Sequence, residues 1–118
     1  MEARAPRPLI VTVNMAVELL ITNQETGARE LVPVATSEVF RQYWMAGCEE
    51  LNLRRVPLIA DGLFERNDIP NLIRELASLA QWFRKTQTPH NAEALSARVS
   101  GVIGALERVI KDSKLTID

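Results

Sequence analysis

The sequence is poor in the residue types that most often carry chemistry. It has one cysteine, Cys48, and one histidine, His90, among 118 residues. A single cysteine excludes a disulfide within the chain, and a single histidine excludes histidine pairs and multi-histidine metal sites. The five glycines form neither a glycine-rich phosphate loop nor a dinucleotide-binding motif. We therefore predict no catalytic residues, no cofactor and no metal site.

The sequence also lacks an excess of charge of one sign. Fourteen basic and 15 acidic residues leave a net charge of −1. Because binding to nucleic acid requires clustered lysines and arginines, we do not expect this nearly neutral chain to bind it. The apolar stretch near the start contains Asn14 and Glu18, is too short to span a membrane, and has no small-residue cleavage site after it. We expect a cytoplasmic protein without membrane contact.

What the sequence does contain is a long alternating pattern. Every odd position from Leu9 to Ile21 is a large apolar residue. A period of two predicts a β-strand with one buried face. Residues 1–8 include two prolines and are predicted to form a flexible arm, so we assign residues 9–118 to a single domain.

Two shorter apolar runs are predicted to complete a sheet. The run Leu31–Val34 follows a polar segment that ends at Gly27, which indicates a hairpin loop and an antiparallel second strand. Pro33 has no N–H to donate, so this strand belongs at an edge. The run Val56–Ala60 is predicted as the third strand. The expected sheet is small, mixed and three-stranded, in the order 2-1-3, with the long first strand in the centre.

Three segments with apolar residues at steps of three and four are predicted as helices. Thr36 is the expected N-cap of the first, which runs to about Leu51. Asp68 is expected to cap the second, and Thr88 followed by Pro89 marks the start of the third. The order strand–strand–helix–strand–helix–helix indicates an α+β fold whose last two helices form a helical hairpin. The predicted core-facing residues are Phe40, Tyr43, Trp44, Cys48 and Leu51 in the first helix, Ile69, Leu72, Ile73, Leu76, Ala80 and Phe83 in the second, and Leu95, Val99, Val102, Ile103, Leu106 and Ile110 in the third.

Two glycines interrupt the last helical segment. Gly101 and Gly104 are each unfavourable there by about 1 kcal/mol relative to alanine. We predict that this part of the helix lies close against another helix, where a side chain would not fit.

One short loop combines acidic and large apolar residues. Asp61 and Glu65 do not follow the alternating ligand pattern of a calcium-binding loop. Leu63 and Phe64 either fold back onto the core or offer an apolar contact to a partner. Trp82 lies at the flank of its helix's core-facing stripe, a position from which tryptophan often anchors an interface. The candidate partner-binding residues are Leu63, Phe64, Trp82, Asp61 and Glu65.

These observations favour a non-catalytic protein-interaction domain. The first predicted strand is longer than its partner, and the part from Leu9 to Asn14 needs the third strand, a second copy of the chain or a foreign protein to pair with. A homodimer is therefore one expectation. The specific hypothesis is a small bacterial immunity or inhibitor protein that binds and neutralises a toxin, because the chain is small and without cofactor motifs.

The alternative is a small enzyme or ligand-binding domain whose site is assembled from scattered residues. Such a site requires its residues to meet in one pocket with perturbed titration. Two of the candidates have simpler structural interpretations, since Cys48 lies in an apolar stripe and His90 in a polar connector. The candidates are Tyr43, Cys48, Asp61, Glu65 and His90.

Overall fold

A three-stranded antiparallel sheet and three helices make up the described part of the chain, residues 16–62 and 64–117 of a computed structural model. The strands are β1 (Ala16–Asn23), β2 (Arg29–Thr36) and β3 (Leu115–Ile117), in the order β2-β1-β3. The helices are α1 (residues 37–51), α2 (Ile69–Thr86) and α3 (Pro89–Lys111), and two 3-10 helices, Val56–Asp61 and Arg66–Asp68, connect α1 to α2. The predicted α+β class is confirmed.

β1 shows the predicted alternation over the residues that the structure describes. Val17, Leu19 and Ile21 are buried, and the residues between them are exposed or half-buried. This pattern places the apolar side chains on the face of the sheet that packs against the helices. The first part of the predicted strand, residues 9–15, and the predicted arm, residues 1–8, lie outside the described residues.

The hairpin between β1 and β2 forms as predicted. Asn23 Oδ1 accepts hydrogen bonds from the N–H groups of Glu25 and Thr26 at 2.9 and 3.1 Å. Gly27 has a φ of 79°, in the left-handed region that favours glycine. Pro33 lies in β2, and β2 is an edge strand of the described sheet, as the missing proline N–H predicts.

The predicted third strand is wrong. The run Val56–Asp61 is a 3-10 helix that packs beside β1, and the third strand is instead β3, which pairs antiparallel with Ile21–Asn23. The described sheet is therefore antiparallel and not mixed, although the first strand is central as predicted. A four- to six-residue apolar run does not distinguish a strand from a short helical segment by its pattern alone.

A partly buried carboxylate from α2 explains why the segment after α1 is helical. Glu75 Oε1 accepts hydrogen bonds from the N–H groups of Arg55 and Val56, at 2.8 and 3.0 Å. These are the N–H groups at the start of the 3-10 helix, so the carboxylate acts as a cap supplied from another element. Pro57 follows in the first turn, where its missing N–H is tolerated. A strand at this position would lose these contacts.

α1 starts at the predicted N-cap and contains a π-helical turn. Thr36 Oγ1 accepts a hydrogen bond from Val39 N–H at 3.1 Å. Phe40–Trp44 then forms a π-helical segment between two α-helical stretches. The helix ends before Asn52, which takes a left-handed conformation. The π turn has no counterpart in the predicted pattern.

α2 and α3 form the predicted helical hairpin. Thr88 Oγ1 accepts a hydrogen bond from Asn91 N–H at 3.4 Å, and Pro89 is the first helical residue. Asp68 occupies the N-cap position of α2 as predicted, but its side chain forms no capping hydrogen bond to that helix. Asp68 Oδ2 instead accepts a hydrogen bond from Glu65 N–H and so caps the preceding 3-10 turn. Among the described helices, none is long and apolar enough to cross a membrane.

Two predictions about the surface of α3 are wrong. Gly101 and Gly104 are exposed, and a Cβ at either position would meet no atom within 4 Å. The glycine in close helix packing is Gly47 of α1, which faces α2. Ile110 is 42% exposed, and its neighbour Val109 is buried in its place. The end of α3 is thus rotated by one residue relative to the predicted core face.

Candidate functional site

The acidic loop keeps only part of its predicted partner-binding set at the surface. Asp61 and Glu65 are exposed, whereas Phe64 is buried in the core. Phe64 therefore folds back onto the core, the first of the two predicted alternatives, and offers no surface for a partner to contact. Leu63 lies outside the described residues. The partner role of Asp61 and Glu65 stays a prediction.

Arg66 ties this loop to the end of α3. Its guanidinium donates hydrogen bonds to the carbonyl of Val109 and, at 2.9 Å, to the carbonyl of Leu115. The last carbonyls of a helix have no partner within the helix, so a cation there satisfies them and complements the helix dipole. The loop carrying Asp61 and Glu65 is thereby held against α3 and β3.

Trp82 is half-buried at the boundary of the core, as predicted. Its ring lies 5.8 Å from the ring of Phe83 between centroids, and its six-membered ring lies against Gly47. The side chain fills the contact between α1 and α2, which is a structural role. Its predicted role as an anchor for a partner stays a prediction.

The residues of the alternative, scattered site do not share an environment. Cys48 is buried, and burial together with the nearby carboxylates of Glu75 and Glu49 raises the pKa of its thiol to about 12. His90 is exposed in the first turn of α3, and Tyr43 is half-buried on α1. Asp61 and Glu65 are exposed on the loop between α1 and α2. The part of the chain that the structure describes contains no group of three or more histidine, cysteine or acidic residues able to hold a metal.

A cavity that no sequence motif predicts lies where β2 is followed by α1. Its volume is about 290 Å³, and the N-terminal half of α3 closes its third side. Val34, Val39 and Leu95 give it apolar walls. Asn91 and Arg98 of α3 add polar groups to its lining.

The π turn of α1 supplies the aromatic wall of this cavity. It carries Tyr43 and Trp44, both of which line the cavity. The Trp44 ring stacks on Phe40 with centroids 5.5 Å apart and meets Phe83 edge-on at 6.2 Å. Trp44 is fully buried, and its indole N–H has no hydrogen-bond partner among the residues that the structure describes. A buried donor without an acceptor is uncommon in folded proteins, and π turns occur frequently at functional sites.

Arg98 is the single charged residue that the described part of the chain contributes to the lining of the cavity. It is exposed and forms no ion pair with another described residue, unlike Arg108, which pairs with Glu30 at 3.1 Å. The residues three and four positions away on α3 are not acidic. Arg98 therefore presents an uncompensated positive charge at the cavity.

Arg98 also borders a shallow groove along the outer edge of β2. Val32 and Pro33 line the groove although their side chains project to opposite faces of the sheet, so the groove follows the strand's edge. On the opposite side, α3 contributes only the small residues Ala97, Ala94 and Gly101 beside Arg98. The exposed glycine thus keeps the groove open.

Sequence reasoning placed Trp44 correctly in the core but did not identify the cavity or the groove. Both are formed by segments that are far apart in the chain, and neither has a motif. The one usable signal is Arg98, which lacks an acidic neighbour at helical spacing. No family model, curated protein or solved structure matches this chain.

Proposed function

We propose that this chain is a non-catalytic protein-interaction domain that holds an extended segment of a partner protein in the groove between β2 and α3. The observation that carries the proposal is the edge of β2, which no other described strand covers and which borders an open groove. Extended segments bind to such edges through main-chain and side-chain contacts. Leu31, 59% exposed on β2, adds apolar contact area.

The groove favours a partner segment with an acidic group. Within the described part of the chain, Arg98 is the only charged residue that lines the groove, and it forms no ion pair there. Pro33 offers no N–H, and the pairing of β1 with β2 shifts by one residue nearby, so a regular hydrogen-bonded ladder is interrupted. Side-chain contacts and the ion pair with Arg98 would then carry much of the binding.

Within this class, the specific proposal is a cytoplasmic immunity or inhibitor protein that binds and neutralises a bacterial toxin. The small size and the open groove support it. Asp61, Glu65 and Trp82 are additional candidate contacts, since all three reach the surface at least in part.

The test uses the product of a toxin gene encoded beside this one. We expect it to bind this chain in isothermal titration calorimetry and to lose its toxicity when the two are co-expressed. Arg98→Glu should weaken binding at least about tenfold, because reversing a charge at a matched interface costs more than one ion pair. Arg74→Glu is the matched control, since Arg74 is an exposed arginine of α2, and it should bind like the unchanged protein.

Four results would count against the proposal. Equal binding by Arg98→Glu and Arg74→Glu, with both variants folded by circular dichroism, would exclude the groove as the contact. A neighbouring toxin that is neither bound nor neutralised, or the absence of any toxin gene, would contradict the immunity function. If a second copy occupies the groove, light scattering will show a dimer that Arg98→Glu dissociates.

A further inference from the structure

We propose that the cavity between β2, α1 and α3 binds a small monocarboxylate with a short apolar body. Arg98 would pair with the carboxylate, and the apolar body would lie against Val34, Val39 and Leu95. This inference concerns the cavity and not the groove, and it does not depend on the proposed protein partner.

The volume and the apolar lining of the cavity determine which part of a ligand it can enclose. A volume of about 290 Å³ lies just below the range of about 300–1,000 Å³ for small-molecule sites, so only a small ligand fits. Val34, Val39 and Leu95 line it, so the part of a ligand that fills it must be apolar. A short hydrocarbon chain meets both conditions.

The charges around the cavity select an anion. Among the described residues, its lining contains one cation, Arg98, and no carboxylate. Asn91 lies in the first turn of α3, where the helix dipole favours negative charge. A planar carboxylate matches the fork of an arginine side chain.

Trp44 gives the cavity a spectroscopic reporter. Its side chain forms part of the cavity lining. Its indole N–H is enclosed by protein atoms, so a ligand in the cavity would lie near the ring without accepting a hydrogen bond from this N–H. The preference for a carboxylate over an amine therefore depends on Arg98.

The experiment follows the fluorescence of Trp44 in the full chain. The chain has two tryptophans, so Trp82→Phe leaves Trp44 as the only reporter. The probes are sodium hexanoate, hexan-1-ol and hexylamine, which share one body and differ in charge. We expect a saturable change with hexanoate, at least about tenfold weaker binding of hexanol, and no binding of hexylamine.

Arginine variants in the same background test the charge partner. Arg98→Met should remove the preference for hexanoate over hexanol, and the control Arg74→Met should keep it. Hexanoate that binds no better than hexanol, an unchanged preference in Arg98→Met, or no saturable signal would overturn the proposal. Because no partner protein is present, failure here leaves the proposed protein contact standing, and failure of that contact leaves this site standing.

Discussion

Replacing Gly47 by alanine sets a gain in helix propensity against a steric overlap, and the structure indicates which effect is larger. Gly47 is buried in α1 where this helix meets α2. A Cβ built there would overlap Leu79 Cδ1 and would lie 2.9 Å from Trp82 Cε3. Leu79 is fully buried, so it has little room to move away.

The two opposing contributions can be estimated separately. Alanine is more favourable than glycine inside a helix by about 1 kcal/mol. Overpacking a well-packed core costs about 1–3 kcal/mol. Because the overlap involves one fully buried side chain and one half-buried ring, we expect the upper part of that range. The net expectation for Gly47→Ala is a loss of about 1–2 kcal/mol in the free energy of unfolding.

The assay is urea unfolding followed by tryptophan fluorescence, with Gly104→Ala as the matched control. Gly104 is also helical, but a Cβ there would meet no atom within 4 Å. Only the propensity gain then remains, so Gly104→Ala should stabilise the protein by about 0.5–1 kcal/mol. The steric overlap does not outweigh the gain in helix propensity if Gly47→Ala is as stable as the unchanged protein, or if both substitutions change stability in the same direction.

Two further predictions concern the partly buried Glu75 and the buried Cys48. Glu75→Ala leaves the N–H groups of Arg55 and Val56 without their acceptor. We expect the free energy of unfolding, measured in urea, to fall by about 2–4 kcal/mol. Glu75→Gln keeps an oxygen acceptor and should lose less, so equal losses in the two variants would contradict the capping role. Burial raises the pKa of the Cys48 thiol from 9.0 to about 12, so at pH 8 a thiol reagent should label the native protein far more slowly than the urea-unfolded protein; labelling of the native protein at the unfolded rate would contradict this. Since the folded-state pKa lies above the unfolded one, the stabilisation from this group is complete below about pH 9 and is lost as the pH rises towards 12, and Cys48→Ala should remove that part of the pH dependence.

The features that were predicted correctly depend on neighbouring residues. The alternation in β1 requires only a period of two, and the position of Pro33 at an edge follows from its missing N–H. Gly27 closes the hairpin because of its own backbone freedom, and Thr88 caps the helix that starts one residue later. Each of these preferences acts within a few residues of the chain.

The features that were missed depend on residues from distant parts of the chain. The segment Val56–Asp61 is helical where a strand was expected, and the Glu75 carboxylate that caps it comes from α2. Gly47 has no room for a side chain because α2 packs against it, whereas the surroundings of Gly104 are open. This difference depends on which element lies opposite each glycine.

The α+β class, the central first strand and the helical hairpin follow from local sequence, because hydrophobic periodicity and capping act between neighbouring residues. The cavity beside the buried Trp44, whose N–H lacks an acceptor among the described residues, and the position of Arg98 between this cavity and the edge of β2 depend on tertiary packing. Such a site exists only where β2, α1 and α3 pack together, and no short stretch of sequence encodes that packing.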